Sequence, residues 1–226
     1  MNMQPAPVTP VVILISGRGA NLQAIIDQVG AGRLAIAIRG VIANKPDAPG
    51  LKRARDAGLT TLVVDQGGYA DRAEFDAALM RAIDLHAPRL VILAGFMRIL
   101  GDAFIRHYAG RLINIHPSLL PAFRGLNTHA RALQAGVKHH GASVHFVTPE
   151  VDGGPIIAQA AVPVLPDDTP ETLAERVLGV EQRIYPMAIQ WLVAGRLVID
   201  QGRVLLDGCQ RPEQGLTLEI QRESNA

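Results

Sequence analysis

Short runs of β-branched and other apolar residues alternate along this chain with segments whose apolar residues recur at helical spacing. That alternation leaves few folds open. The first run, Val11–Ser16, is apolar up to its last residue and too short for a buried helix, which reads as a strand covered on both faces. It enters a glycine turn, Gly17–Asn21, after which Leu22, Ile25, Ile26 and Val29 fall on one stripe that stops at Gly30 and Gly32. A second strand is predicted over Ala35–Ala43, a helix over Leu51–Ala57 that stops at Gly58, and a third strand over Thr60–Val64. Asp71–His86 carries Phe75, Leu79, Ala82, Ile83 and His86 on one face, as an amphipathic helix does. Leu90–Ala94 and Arg111–His116 supply a fourth and a fifth strand. Repeated β-α-β units imply an α/β chain with a doubly wound, mostly parallel sheet between two helical layers, a Rossmann-like αβα arrangement.

Beyond His116 the alternation loosens. Pro117–Thr128 is predicted as a loop, followed by a short helix to about Gln134. Two strands are predicted at Ala142–Val147 and Ile156–Val164, with Thr148–Pro155 between them. A long helix over Thr169–Ala194 contains Pro186, where a bend is expected. Val198–Leu206 reads as two short strands about Asp200-Gln201-Gly202-Arg203, and Leu216–Ile220 alternates as one more. Residues 1–10 are expected to be a flexible leader, 11–206 a single catalytic domain, and 207–226 a tail that frays at Gln221–Ala226.

Composition excludes several function classes. Apolar residues are 48% and charged residues 19%, ample for a core. Lys+Arg is 22 against Asp+Glu 21, and aromatics are 4%, so neither the basic surplus nor the stacking platforms of a nucleic-acid binder are present. The single cysteine, Cys209, rules out an intramolecular disulfide and a cysteine-cluster metal site, and we read its thiol as incidental. His139, His140 and His145 have no recognisable ligand spacing, so no metal is expected. No apolar run approaches the roughly 20 residues of a membrane span. Met1–Pro10 has three prolines and no Lys or Arg, unlike a secretion signal, so a cytoplasmic location is expected.

Parallel sheets of this kind bind ligands in the crevice at the carboxyl ends of their strands, and three candidate sites lie at such ends. Ser16-Gly17-Arg18-Gly19-Ala20-Asn21 joins the first strand to the first helix. Its glycines admit a ligand close to the backbone, and the helix N-terminus offers free N–H groups to a phosphate. The third glycine of a dinucleotide fingerprint would fall at Leu22, so the turn is no such fingerprint; the alternative to a phosphate site is a plain βα turn that binds nothing. Asn114 and His116, two apart at the end of the fifth strand, point to the same side. Together they could hydrogen-bond an oxygen gaining negative charge while the imidazole moves a proton; the alternative is a histidine satisfied by a loop carbonyl. Asp152-Gly153-Gly154-Pro155 either holds a carboxylate facing that crevice, where it would stabilise a charged His116, or forms an ordinary Asx turn. Gly95–Leu100 is either a helix start or the backbone wall of a pocket. No Gly-x-Ser-x-Gly nucleophile elbow occurs.

Taken in order, Ser16-Gly17-x-Gly19-x-Asn21-Leu22, Gly95–Leu100, Asn114-Ile115-His116-Pro117-Ser118-Leu119-Leu120-Pro121 and Asp152–Pro155 resemble the folate-dependent formyltransferases, and among them the glycinamide ribonucleotide transformylases of purine biosynthesis. The resemblance spans about Val11 to Leu206. It implies transfer of a formyl group from 10-formyltetrahydrofolate, a co-substrate, to the amine of 5-phosphoribosylglycinamide through a tetrahedral intermediate. It implies that Asn114, His116 and Asp152 form the catalytic trio and that Gly19, Ala20 and Asn21 bind the substrate phosphate. Arg72, Met97, Arg98, Ile99, Leu100 and Asn114 would bind the folate, and Glu181 would lie near the ribose and glycinamide. It implies small-molecule partners, no metal, no nucleic acid and no membrane, in a monomer or a homodimer. The chain departs from the family pattern at Arg18, where Asn is common, at Ala20, where Ser is common, and at Asn127, where His is frequent. Leu119–His129 is expected to be a mobile lid. Related families that hydrolyse the formyl donor or formylate methionyl-tRNA carry an added N-terminal or C-terminal domain, and 226 residues leave no room for either. A nucleotide-binding module on the same scaffold would need the turn at Ser16–Asn21 but not the trio.

Overall fold

The structure, a computed structural model, describes residues 8–208. The strand predicted at Leu216–Ile220, the frayed end and Cys209 lie outside the described residues. The strands are β1 (Thr9–Ile15), β2 (Ile36–Ala43), β3 (Thr61–Val63), β4 (Leu90–Leu93), β5 (Leu112–His116), β6 (His139–Phe146) and β7 (Ile156–Pro163). They form one sheet in the order β3-β2-β1-β4-β5-β6-β7. From β3 to β5 the strands are parallel, and β6 and β7 add antiparallel ladders. The chain first winds outward from β1 to β3, then crosses to β4 on the other side of β1. The join between β1 and β4 is therefore the topological switch point, where ligands bind in such sheets.

The helices are α1 (Ala20–Gly30), α2 (Gly50–Asp56), α3 (Arg72–Asp84), α4 (Asp102–His107), α5 (Thr128–Gln134) and α6 (Pro170–Val193). Residues of β1 alternate between the two apolar layers. Val11, Ile13 and Ile15 pack with residues of α1, α2 and α6, while Val12 and Leu14 pack with residues of α3 and α4. This is why the run reads as continuously apolar: both of its faces are buried. α6 starts on a capping box, in which Thr169 and Thr172 exchange side-chain and backbone hydrogen bonds, with Pro170 in the first turn. It continues unbroken through Pro186. Among the described residues no helix is long and apolar enough to cross a membrane.

Most predicted elements are present with ends shifted by one or two residues, and three differences from the sequence reading have a physical reason. β1 begins at Thr9, so Thr9 and Pro10 belong to the sheet and not to a leader. Pro10 is tolerated because it sits at the strand's second residue, where its carbonyl still accepts from Arg89 N at 2.9 Å. β6 begins at His139, three residues before the predicted start, because pairing to β7 buries His140 and Gly141. α4 was not predicted, since six residues are too few to show a period. The predicted hairpin is present as β8 (Leu197–Asp200) and β9 (Arg203–Leu206), with positive φ at both Gln201 and Gly202, as a two-residue turn requires. An Arg196–Asp207 ion pair closes its open end.

Tyr185 ties α6 to the centre of the sheet. Its ring is fully buried, and its hydroxyl donates to the Leu93 carbonyl of β4 at 2.9 Å, with the Ile113 carbonyl of β5 at 3.3 Å. Replacing it by Phe removes the donor and keeps the ring. Tyr185→Phe is expected to lose about 1 kcal/mol of unfolding free energy in a urea titration. An unchanged midpoint would show that the hydroxyl contributes nothing.

Candidate active site

β5 and the β6–β7 loop build one cluster. In the β5–β6 ladder Asn114 stands opposite His145, and His116 opposite Ser143. The chain leaves the next ladder after Phe146 and rejoins it where Phe146 N donates to the Pro155 carbonyl. That excursion carries Asp152 back to His116. The Asp152 Oδ2 to His116 Nδ1 distance is 3.4 Å, and both side chains are almost wholly buried. Asp152 adopts φ 49, and a Cβ on Gly154 would fall 1.9 Å from the Phe146 carbonyl oxygen. The Gly-Gly pair therefore lets the loop double back against β6.

His116 has an acceptor at each ring nitrogen: the Asp152 carboxylate at Nδ1 and the Phe123 carbonyl at 3.1 Å from Nε2. The loop-carbonyl and carboxylate readings of this histidine thus hold together. His145 lies beside Asn114, and sequence reasoning gave it no part in the site. Its Nδ1 faces the Phe146 carbonyl at 2.9 Å and must donate there, which leaves Nε2 as the acceptor for Asn114 Nδ2 at 3.3 Å. Burial pushes its pKa down, consistent with a neutral ring. One N–H of Asn114 is so engaged and the other is left for the cavity.

The cluster opens into a cavity of about 600 Å³ lined by Phe96–Leu100 on one side and by Gly125–His129, Thr148 and Val151 on the other. Met97 and Ile99 present exposed apolar side chains, and so do Leu126 and Val151 across the opening. Gly95–Leu100 is therefore a wall, not a helix. The Leu119–His129 segment lies over His116 and Asp152, with Gly125 N donating to Asp152 Oδ2 at 2.9 Å and Arg124 paired with Glu150. His129 faces the cavity and His140 lies behind it. Burial pushes both histidines down, His140 to about 4. Among the described residues no group of three or more His, Cys, Asp or Glu is placed to hold a metal ion.

The turn after β1 adjoins this cavity. Gly19 caps α1 with φ 70, and a Cβ there would lie 2.8 Å from Gly50 Cα, so only glycine fits. No side chain caps the first turn of α1, leaving the N–H groups of Ala20 and Asn21 free for an anion. Arg53 reaches the turn by donating to the Arg18 carbonyl, while the Arg18 side chain is exposed. Asn21 Nδ2 donates to Glu181 Oε2 at 2.7 Å, which brings α6 to the same place. Ser16 N donates to the Gly95 carbonyl and Ser16 Oγ accepts from Met97 N at 2.7 Å, so the turn and the cavity wall share a joint.

A family model described as formyl transferase matches residues 9–189. The chain belongs to the formyl transferase family. It is 50% identical over 205 residues to the phosphoribosylglycinamide formyltransferase of Escherichia coli (strain K12), covering 91% of this chain and 97% of that one. A solved phosphoribosylglycinamide formyltransferase from Coxiella burnetii superposes with a TM-score of 0.86 at 51% identity, covering 91% of this chain and 97% of that one. Glycinamide ribonucleotide transformylase 1 from Symbiobacterium toebii gives 0.88 at 48% identity, with the same coverage.

In this formyl transferase the structure brings Asn114, His116, Asp152 and Met97–Leu100 to one cavity, and Gly19, Ala20, Asn21 and Glu181 to the adjoining turn. Arg72 is not brought in: it is exposed at the start of α3, on the outer side of the wall near Gly101. His145 was missed because strand register, which pairs it with Asn114, has no signature in a single sequence.

Burial pushes the Glu181 carboxyl up to about 6, against the pull of the Asn21 amide. The folded chain therefore holds this proton more tightly than the unfolded one between the ordinary value of 4.5 and about 6. Its contribution to stability falls as pH rises through that window. Glu181→Gln removes the titration and keeps an acceptor for Asn21. The stability of the Gln variant relative to the parent is expected to rise by about 2 kcal/mol between pH 4.5 and 7 in denaturant titrations. A difference that does not vary with pH would contradict it.

Proposed function

We infer that this chain transfers the formyl group of 10-formyltetrahydrofolate to the amine of 5-phosphoribosylglycinamide, a step of purine biosynthesis. The observation that carries the reading is the 3.4 Å approach of Asp152 to His116 in the cavity that Asn114 also lines. The extent of the likeness to the phosphoribosylglycinamide formyltransferases supports it. The free N–H groups of Ala20 and Asn21, preceded by Gly19, take the substrate phosphate at the head of α1, where the helix dipole favours negative charge. Glu181, held by Asn21, faces the ribose and glycinamide end. The apolar wall Met97–Leu100 and the backbone polar groups within it take the flat ring of the folate, with Arg98 and Asn114 at its edges and Arg72 outside for the donor's acidic end.

Each residue of the trio has a distinct task. Asn114 directs its remaining N–H at the formyl oxygen as it becomes anionic when the amine attacks, and His116 Nε2, which faces the Phe123 carbonyl in this structure, turns to the same oxygen when bound substrates displace that carbonyl. Such donors act strongly in a cavity that excludes water, because they are already oriented before charge develops. Asp152 keeps the imidazole charged and fixes its plane. His116 passes a proton toward the departing folate nitrogen and recovers one from the attacking amine, directly or through water, which balances the step. The formyl group is the only carbon unit moved, so the folate is consumed as a co-substrate and no metal is required. The Leu119–His129 segment acts as the lid that excludes water, on the strength of the Phe123 and Gly125 backbone contacts to the pair. On this reading the enzyme works in the cytoplasm on two small molecules, as a monomer or a homodimer.

A steady-state formyl-transfer assay tests this. His116→Ala and Asn114→Ala are each expected to lower kcat by about 10²–10³ while the fold is retained. Full activity in the His116 variant, or a parent enzyme that binds the ribonucleotide but transfers nothing, would overturn the reading.

A further inference from the structure

Asp76 is a carboxylate where the amphipathic pattern places core. It lies on α3 beside Phe75 and Leu79 and is only 5% exposed. Removing a carboxylate from water is costly unless the surroundings repay it. Here the return is a single strong hydrogen bond: Oδ2 accepts from Gly101 N at 2.7 Å, while Oδ1 is buried with no partner among the described residues. Burial raises the carboxyl's pKa, and the Gly101 N–H, with Arg72 and Arg98 nearby, opposes that rise. Among the described residues Asp76 forms no ion pair, so the bond to one backbone amide is the feature that the burial serves.

Gly101 is where the cavity wall ends and α4 begins. A Cβ at this position would lie 2.9 Å from Asp76 Oδ2 and 3.8 Å from Arg72 Nε. A side chain at this position would therefore crowd the Asp76 carboxylate away from the Gly101 amide. At the other end of the wall Ser16 Oγ holds Met97 N. Met97–Leu100 are thus suspended between two buried side-chain acceptors, one from the turn after β1 and one from α3. Between these anchors the Arg98 guanidinium rests on the Phe75 ring at 4.5 Å and reaches Gln66 at 3.3 Å.

We propose that Asp76 is a positioning residue for the formyl donor: its bond to Gly101 sets where the Met97–Leu100 backbone stands, and so how tightly a flat, ring-bearing folate is held against it. The inference rests on the reading of that wall as the folate's face. The effect of Asp76 falls on the donor side, since Gly101 stands at the end of the wall away from Met97, where the wall joins the ribonucleotide turn through Ser16, and that turn has further anchors in Glu181 and Gly50.

Asp76→Ala removes the acceptor, and Asp76→Asn keeps an amide oxygen that can take the Gly101 N–H without the charge. Both variants are assayed with each substrate varied, titrated calorimetrically with tetrahydrofolate, and melted. The Ala variant is expected to raise the KM for 10-formyltetrahydrofolate and the Kd for tetrahydrofolate by about tenfold. Its kcat and its KM for the ribonucleotide stay within about twofold, and the Asn variant recovers most of the loss. A donor KM and Kd that do not move in the Ala variant overturn the inference and leave the proposed function intact. Equal losses toward both substrates that follow the fall in Tm, with no recovery in Asn, overturn it as well. If the parent chain transfers no formyl group the proposed function fails, and the tetrahydrofolate titration of the two variants then decides the role of Asp76.

Discussion

A buried imidazole and a buried carboxylate, His116 and Asp152, can remain together only if each finds the partners that water would otherwise supply. That requirement organises the surrounding chain. His116 gives its second ring nitrogen to the Phe123 carbonyl, and Asp152 takes the Gly125 amide. The segment over the cavity is thus bonded by its backbone to both halves of the pair. Because β6 runs antiparallel to β5, its last residue lies beside Ile113, and the β6–β7 loop has to double back along the sheet to bring Asp152 to His116. The neutral His145 then orients Asn114 without adding a second positive charge beside the pair.

The two halves of the candidate site use different physics. The turn at Ser16–Asn21 offers backbone N–H groups and a helix terminus, suited to a compact anion. The cavity offers apolar walls with a few oriented polar groups, suited to a large flat molecule. They meet at Ser16, which sits at the switch point between β1 and β4 and bonds to the wall through both its amide and its hydroxyl. A reaction that joins a phosphorylated amine to a ring-borne one-carbon group needs these two surfaces side by side.

Much of this was legible in the sequence, and the gaps have physical reasons. The apolar runs of β1 and β4 declare themselves because both faces are buried. Asn114 and His116 were found from spacing alone, because period-two geometry holds wherever a strand forms. His145, Gly125 and Phe123 were not, because their roles come from register and from a loop folding over the sheet. Arg72 was carried onto the site by resemblance, yet only its helix start is near the wall. Asp76 was invisible for the opposite reason: a carboxylate on an amphipathic helix reads as a solvated position, and its burial depends on a contact twenty-five residues away.

The account stands on His116 and Asp152 acting as one unit. The most direct measurement is a double-mutant cycle on the single-turnover rate of formyl transfer, using His116→Ala, Asp152→Ala and the two combined. If Asp152 works through His116, the combined variant is expected to be no slower than the slower single variant. Losses that multiply in the combined variant would mean that the two residues act independently, and the arrangement proposed for the site would be wrong.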